Sequence, residues 1–241
     1  VNINHIKKNL IDRYPFFGSI IDSMEYIETP NCTSNGVPTA GTNGKTTVCN
    51  MIEDCLRENG YDFMDNQLGS NTNSGIASTF IKGAKLSGNS KKSLAVFEID
   101  ERSSIRIYPY VKPTYLICTN LFRDSLMRNA HTEFISNMLT NNIPKETKLI
   151  LNGDDLIVSN LAPSNERVYF GIDRLETDTD TCENIARDII VCPKCDSKLV
   201  YDFVRYNHIG RAHCSKCDFK SPKIDYELTK LDLENKVIAY D

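Results

Sequence analysis

The stretch Val37-Pro-Thr-Ala-Gly-Thr-Asn-Gly-Lys-Thr-Thr47 gathers residue types that can hold a polyphosphate. Gly44-Lys45-Thr46 is the core of a nucleotide-binding loop. Glycines let successive backbone N–H groups turn toward phosphate oxygens at a helix N-terminus. Lys45 supplies a point charge for the β- and γ-phosphates, and the Thr46 hydroxyl can ligate Mg2+. The general pattern asks for glycine at the position of Thr39, whereas here a glycine stands at Gly41. Gly41, Thr42, Asn43, Gly44, Lys45, Thr46 and Thr47 therefore form a variant loop, and the competing reading is a turn followed by an ordinary helix cap. A second Mg2+ ligand belongs at the end of a neighbouring strand, because ligands of parallel sheets collect at the carboxyl ends of strands. Glu98, directly after the apolar run Leu94-Ala-Val-Phe97, fits that place, with Asp100 and Glu101 as competitors.

A second chemical centre lies further along. Cys192-Pro-Lys-Cys195 and Cys214-Ser-Lys-Cys217 are two Cys-x-x-Cys knuckles 18 residues apart. That spacing matches a closed tetrahedral Zn2+ site with no open position, hence a structural metal. Four thiolates leave a net negative site, which Lys194 and Lys216 inside the knuckles would offset. A module this small buries little core, so the metal would supply its folding energy. His208 and His213 are expected to be spectators. A redox dithiol pair is the runner-up. Lys198, Arg205, Arg211 and Lys220, interleaved with Tyr201, Phe203 and Tyr206, are the feature that would fit a nucleic-acid-binding ribbon.

The elements that position these centres follow from periodicity. Ser93–Ile99, Pro113–Thr119 and Lys148–Leu151 read as buried strands. Thr46–Asn59, Ser74–Lys85, Glu133–Asn141 and Asp155–Leu161 read as helices. Strands alternating with helices imply an α/β fold: a mostly parallel sheet flanked by helices, with the phosphate loop between strand and helix. Residues 1–36 form a polar lead-in with one amphipathic stretch, Ile3–Ile11, and residues 37–188 the sheet domain. Within the latter, Arg174–Asp188 reads as an acidic linker. Residues 189–222 form the cysteine module, and 223–241 return to the sheet, with a hairpin over Ile224–Tyr240.

Composition narrows the classes. The net charge of −4 over 241 residues argues against a general nucleic-acid binder. No apolar run reaches the roughly 18–20 residues that span a bilayer, and no signal sequence opens the chain. Of the nine cysteines, the five outside the two knuckles, Cys32, Cys49, Cys55, Cys118 and Cys182, have no disulfide-framework spacing, which points to a reducing cytosol.

Gly41-Thr-Asn-Gly-Lys-Thr-Thr47 resembles the loop of the Mur ligase superfamily, whose members join amino acids or ammonia to carboxylates using ATP. Phe97-Glu-Ile-Asp-Glu101 resembles that family's Mg2+-binding glutamate strand. Thr119–Arg128 resembles its Asn-x-x-x-Asp segment, and Leu151-Asn-Gly-Asp-Asp155 its Asn-Ala-Asp-Asp segment, whose asparagine reads adenine. Within the superfamily the sequence resembles the MurT family, through the four-cysteine insertion, Asn120-Leu-Phe-Arg-Asp124, Gly69-x-Asn71 and Gly75-Ile-Ala-Ser78. The resemblance implies the following. ATP phosphorylates the D-glutamate α-carboxylate of the lipid II stem peptide, and the acyl phosphate takes up ammonia delivered by a GatD-like glutaminase subunit. Lys45, Glu98 and Asp124 would be catalytic, Thr46 and Glu98 would hold Mg2+, and Asn152 would hold adenine. Ser125 and Met127 depart from the family pattern, which weakens Asp124 and any second Mg2+ there. Ser70, Asn71 and Asn73 are candidates for the substrate cleft, and Asp154 and Asp155 for helix caps. Lys82, Lys85, Lys91 and Lys92 form a basic patch for a peripheral contact at the inner membrane face. Such proteins continue into a C-terminal domain with no counterpart here, so a fragment or shortened copy is expected. The alternatives are another Mur-type amino-acid ligase, or a nucleotide-binding remnant without catalysis.

The zinc reading makes a direct prediction. Metal analysis should find about one Zn2+ per chain, and Cys192→Ser should lose both the metal and the fold of the module, seen as rapid proteolysis within 189–222.

Overall fold

Leu94-Ala-Val-Phe97 is apolar on both faces, as a strand covered on both sides must be, and in the computed structural model Val96 within it is wholly buried. The structure describes residues 35–41, 43–66, 71–87, 89–122, 132–181, 188–189, 191–232 and 237–241. They fall into two compact units: residues 35–40, 44–117 and 141–148 in the first, and 41–43, 118–140 and 149–241 in the second.

The first unit runs β1 (Asn35–Ala40), α1 (Lys45–Glu58), β2 (Phe63–Asp65), α2 (Asn73–Gly83), β3 (Leu94–Glu98), a single turn α3 (Ser104–Ile107) and β4 (Tyr115–Cys118). β3 lies between β1 and β2 and pairs with both in parallel. The register places Thr39 opposite Glu98, so the end of β3 comes level with the end of β1, where the loop begins. Phe80 of α2 packs on Phe97 of β3, ring centroids 5.2 Å apart. α1 buries Cys49 and Glu53. The Glu53 carboxylate accepts a hydrogen bond from Arg57 at 2.9 Å, and the Arg57 guanidinium lies over Phe63. Burial first, then the nearby Asp65, raises the Glu53 pKa.

The second unit contains α4 (Thr132–Asn142), β5 (Lys148–Asn152), β6 (Arg167–Ile172), the hairpin β7 (Leu199–Tyr206) and β8 (Ile209–Cys214), then β9 (Tyr226–Asp232) and β10 (Val237–Tyr240). β5–β6 and β6–β9 are parallel, and β9–β10 closes antiparallel with a bulge. The β7–β8 hairpin forms its own two-stranded sheet with register shifts at Tyr201/Phe203 and Val204/Tyr206. Leu156, Cys192, Leu199, Ala212 and Cys214 form a small core there, with Ile189, Tyr201, Cys217 and Phe219 against it.

The strands expected at 93–99, 113–119 and 148–151 are present within a residue or two of those limits, as are the helices at 46–59, 74–85 and 133–141. The hairpin expected over 224–240 is β9–β10. The helix expected over Asp155–Leu161 is instead one 3-10 turn at Val158–Asn160. The Asp155 carboxylate takes the N–H groups of Ile157 and Val158 at 2.8 and 2.9 Å, and Pro163 two residues after Leu161 leaves no room to propagate. Part of the expected linker is pinned: Thr179 and Val204 exchange backbone hydrogen bonds at 2.9 and 2.7 Å. Ile3–Ile11, Cys32 and Cys182 lie outside the described residues. Among the described residues no helix is long and apolar enough to cross a membrane.

Leu151 of β5 is wholly buried. Leu151→Ala should cost about 2–5 kcal/mol, read as a lower urea midpoint at unchanged slope.

Candidate functional site

Gly44 caps α1 in the left-handed region, φ 79°, where an L side chain is strained. No side chain caps this terminus. The first intrahelical bond runs from Val48 N–H to Gly44 O at 2.9 Å, so the amides ahead of it have no acceptor within the helix. That end carries the positive pole of the helix dipole. Thr46 Oγ1 donates to Glu98 Oε2 at 2.6 Å. Hydroxyl and carboxylate oxygens converging this closely are a donor set suited to a hard divalent cation such as Mg2+. Lys45 Nζ pairs with Glu101 Oε1 at 2.9 Å, both side chains largely buried. The three acidic candidates thus separate: Glu98 meets Thr46, Glu101 meets Lys45, and Asp100 accepts the Ser103 backbone N–H at 3.2 Å.

Glu98 is held by two residues that sequence reasoning did not assign to it. Asn66 accepts the Glu98 N–H at 2.9 Å and donates to the Glu98 carbonyl at 2.8 Å. Asn71 Nδ2 donates to Glu98 Oε1 at 3.1 Å, and the Asn71 carbonyl accepts from Asp100 N–H at 2.8 Å. Asn71 had been a candidate for the substrate cleft. Asn66 carries no sequence signal beyond being an amide just past a short strand.

Gly41–Asn43 belong to the second unit. A Cβ on Gly41 would lie 2.2 Å from Thr119 Oγ1 and 3.0 Å from the Asn120 carbonyl, and its φ is +141°, which explains the displaced glycine of the loop. Asn120 clamps Asn43 reciprocally, accepting its N–H at 3.0 Å and donating to its carbonyl at 2.9 Å, and Thr119 Oγ1 donates to the same carbonyl at 2.9 Å. Asn152 Nδ2 donates to the Thr119 carbonyl at 2.9 Å, and its Oδ1 accepts from Asp154 N–H at 3.0 Å. These bonds use one donor and one lone pair of an amide that has two of each. Thr42 and Asp124 lie outside the described residues, as do Gly69 and Ser70.

The four cysteines of the two knuckles converge, with all Sγ atoms within 4.8 Å of one another. Cys192–Cys217 and Cys195–Cys214 are 3.6 and 3.5 Å apart. Four sulfurs at 2.3 Å around a tetrahedral Zn2+ stand about 3.8 Å apart, so the cluster fits that ion. Backbone N–H groups of Lys194, Lys216 and Cys217 donate to Cys192 or Cys214 Sγ at 3.3–3.4 Å. Hydrogen bonds from Ser197 draw Cys195 down to about 6. A backbone hydrogen bond from Phe219 favours the Cys217 thiolate, but burial and the other sulfurs outweigh it and push that thiol up to about 12. Lys194 pairs with Asp218 at 2.8 Å. His213 faces Asp202 at 3.0 Å, and neither it nor His208 joins the sulfur cluster.

Residues 39–190 match the Mur ligase middle domain. The chain belongs to the Mur ligase family. It is 35% identical over 196 residues to the MurT subunit of lipid II isoglutaminyl synthase (glutamine-hydrolyzing) from Staphylococcus aureus, covering 80% of this chain and 43% of the relative. The corresponding subunit of Streptococcus pneumoniae is 35% identical over 197 residues, 81% of this chain and 43% of the relative. The chain therefore spans less than half the length of these curated relatives. Among solved structures it is similar to a pseudomurein peptide ligase type C from Methanothermus fervidus, with a TM-score of 0.65 and 25% identity over 91% of this chain and 43% of the other.

In this Mur ligase chain the two arginines of the ribbon hairpin are committed to ion pairs. Arg205 bonds Asp154 and Asp178 at 3.1 and 2.8 Å. Arg211 bonds Asp154 at 3.2 Å and also pairs with Glu227. Both lie over the Phe203 ring. These two are thus withdrawn from the basic and aromatic face that nucleic acid would need. His208 is fully buried, with its ring nitrogens 3.2 Å from Asp155 and 3.4 Å from Asp188. Burial alone would lower its pKa, but the two carboxylates outweigh it and raise it to about 9. The sequence reading makes it a spectator beside the cysteines and carries no signal for this pairing with Asp155 and Asp188.

A histidine raised above its unfolded value near 6.5 stabilises the fold fully below that pH and loses the contribution as pH climbs through about 9. Thermal midpoints of the wild type should accordingly fall between pH 7 and 10, and His208→Gln should start lower and remove the part of that slope due to the imidazolium.

Proposed function

We propose that this chain is the nucleotide-binding part of an ATP-dependent amide ligase subunit that amidates the D-glutamate α-carboxylate of lipid II. The observation that carries the reading is the Thr46–Glu98 contact of 2.6 Å beside an uncapped helix N-terminus. Similarity to two MurT subunits gives it a substrate class. Two anions, carboxylate and γ-phosphate, must approach each other. Lys45 and the amides opening α1 offset that repulsion and the charge on the transferring phosphoryl group. Thr46 and Glu98 would hold Mg2+, which supplies further charge neutralisation at the phosphates when bound. Asn66 and Asn71 keep the Glu98 carboxylate aimed. Asn152 presents its second donor and lone pair to adenine. Asp124 is retained as the third catalytic residue on the resemblance of its segment.

The carboxylate oxygen attacks the γ-phosphorus and ADP leaves. Ammonia then attacks the acyl carbon, phosphate leaves, and nitrogen sheds a proton. Ammonia comes from glutamine hydrolysis by a GatD-like partner. Zn2+ in the four-cysteine site is structural. The protein works in the cytoplasm at the inner membrane face, without nucleic acid. Of the basic patch proposed for the membrane contact, Lys92 pairs with Asp62 and Lys91 donates to the Lys82 carbonyl, which leaves the ammonium groups of Lys82 and Lys85 for that contact.

A second reading is supported by the likeness to the pseudomurein peptide ligase: the nucleophile is the amine of an amino acid or peptide rather than ammonia. The phosphate site would serve both chemistries.

Calorimetric titration with Mg-ATP tests the shared step. Binding should require Mg2+ and weaken about tenfold or more in Lys45→Ala and Glu98→Gln, with zinc content unchanged. Absence of binding by the wild-type chain defeats the nucleotide reading. Mass spectrometry of lipid II incubated with the full-length protein, ATP, glutamine and its co-purified glutaminase separates the two nucleophiles. An amidated product supports the first, and a product extended by one residue supports the second.

A further inference from the structure

Asp154 and Asp155 follow the Asn152 turn directly, and their side chains are 2% and 0% exposed. Buried carboxylates persist only with charge and hydrogen-bond compensation. The charge compensation arrives from one place, the β7–β8 hairpin, whose base is flanked by the two cysteine knuckles. Arg205 Nη1 and Arg211 Nε reach the two oxygens of Asp154 at 3.1 and 3.2 Å, and Ile172 N–H adds a bond at 2.8 Å. His208, on the turn, faces Asp155 at 3.2 Å. The hairpin backbone attaches as well: Gly210 N–H donates to the Asp154 carbonyl at 2.7 Å, and Ile209 forms a bridge with Asp155.

These contacts reach the amide proposed to read the base. Asp154 N–H holds Asn152 Oδ1 at 3.0 Å, and the same side chain donates to the Thr119 carbonyl. Asp155 Oδ2 accepts Leu121 N–H at 3.0 Å, fixing the segment to which that carbonyl belongs. The plane of the Asn152 amide is therefore set by a peptide whose two carboxylates are gripped by the hairpin.

We infer that Arg205, His208 and Arg211 are positioning residues for base recognition: the four-cysteine module is the mount from which they fix Asp154 and Asp155, and through them the Asn152 amide. The inference rests on the nucleotide reading above. It assigns the module a task other than stapling itself, namely to make the site select adenine.

The test compares three ligands, ATP, GTP and inorganic tripolyphosphate, each with Mg2+, on the wild-type chain, Arg211→Gln, His208→Gln and the milder Asp188→Asn, which alters the outer partner of His208, a carboxylate that also accepts from Asn207 on the same turn. Zinc stoichiometry and far-ultraviolet circular dichroism report folding. In variants that keep zinc and fold, ATP affinity should fall about tenfold, the preference for ATP over GTP should shrink, and tripolyphosphate affinity should hold within about twofold. Should the arginine and histidine variants lose zinc, Asp188→Asn alone decides, with a smaller shift in the same direction. Equal loss for ATP and tripolyphosphate would mean general loosening and would overturn the inference, as would an unchanged ATP-to-GTP ratio. Failure of the wild type to bind either ATP or tripolyphosphate would instead strike the nucleotide reading itself.

Discussion

Two consecutive aspartates buried at the end of a parallel strand impose the strongest constraint in the second unit. An ionised carboxylate removed from water costs several kcal/mol unless charges and donors replace the lost hydration. The chain meets that demand with Arg205, Arg211, His208 and the backbone N–H groups of Leu121, Ile157, Val158 and Ile172. Much else follows. The sequence after β5 makes a tight 3-10 turn instead of a helix, the hairpin is anchored at its turn as well as at its cysteines, and the two ribbon arginines face inward.

In the first unit the corresponding constraint is the aim of one carboxylate. Glu98 sits at the end of β3, level with Thr39 at the end of β1, and is bonded on backbone and side chain by Asn66 and Asn71. A loose glutamate keeps its rotamer freedom, whereas this one is already placed. The Lys45–Glu101 pair does the same for the ammonium, holding it in a largely buried position rather than loose in solvent.

Much of this was legible in the residues, and the misses have physical causes. The loop was legible because glycine, lysine and hydroxyl spacing encodes backbone direction and charge. The variant glycine at 41 became explicable only from the close approach of Thr119 and Asn120, a contact 78 and 79 residues away in sequence that no local pattern reveals. The four cysteines were legible because metal geometry restricts their spacing. Short partnered strands such as β2 and β6 were missed: three residues carry no periodicity, and Arg167–Ile172 mixes polar and apolar residues at intermediate burial. His208 was judged by its nearness in sequence to cysteines, when its environment is set by Asp155 and Asp188, drawn in by the fold. Asn66 shows the general difficulty, since an amide that grips a backbone from 32 residues away looks like any other polar residue in a loop.

The distance along the chain between Asp154 and Arg211, 57 residues, has a consequence for biogenesis. A ribosome adding about 5–20 residues per second needs roughly 3–11 seconds after making the aspartate before its last guanidinium exists. Throughout that interval the carboxylates lack their hairpin partners, so the turn beyond β5 must stay open to water in the nascent polypeptide. The end of that strand is thus completed only after the first cysteine knuckle, Cys192–Cys195, and strand β7 have been made.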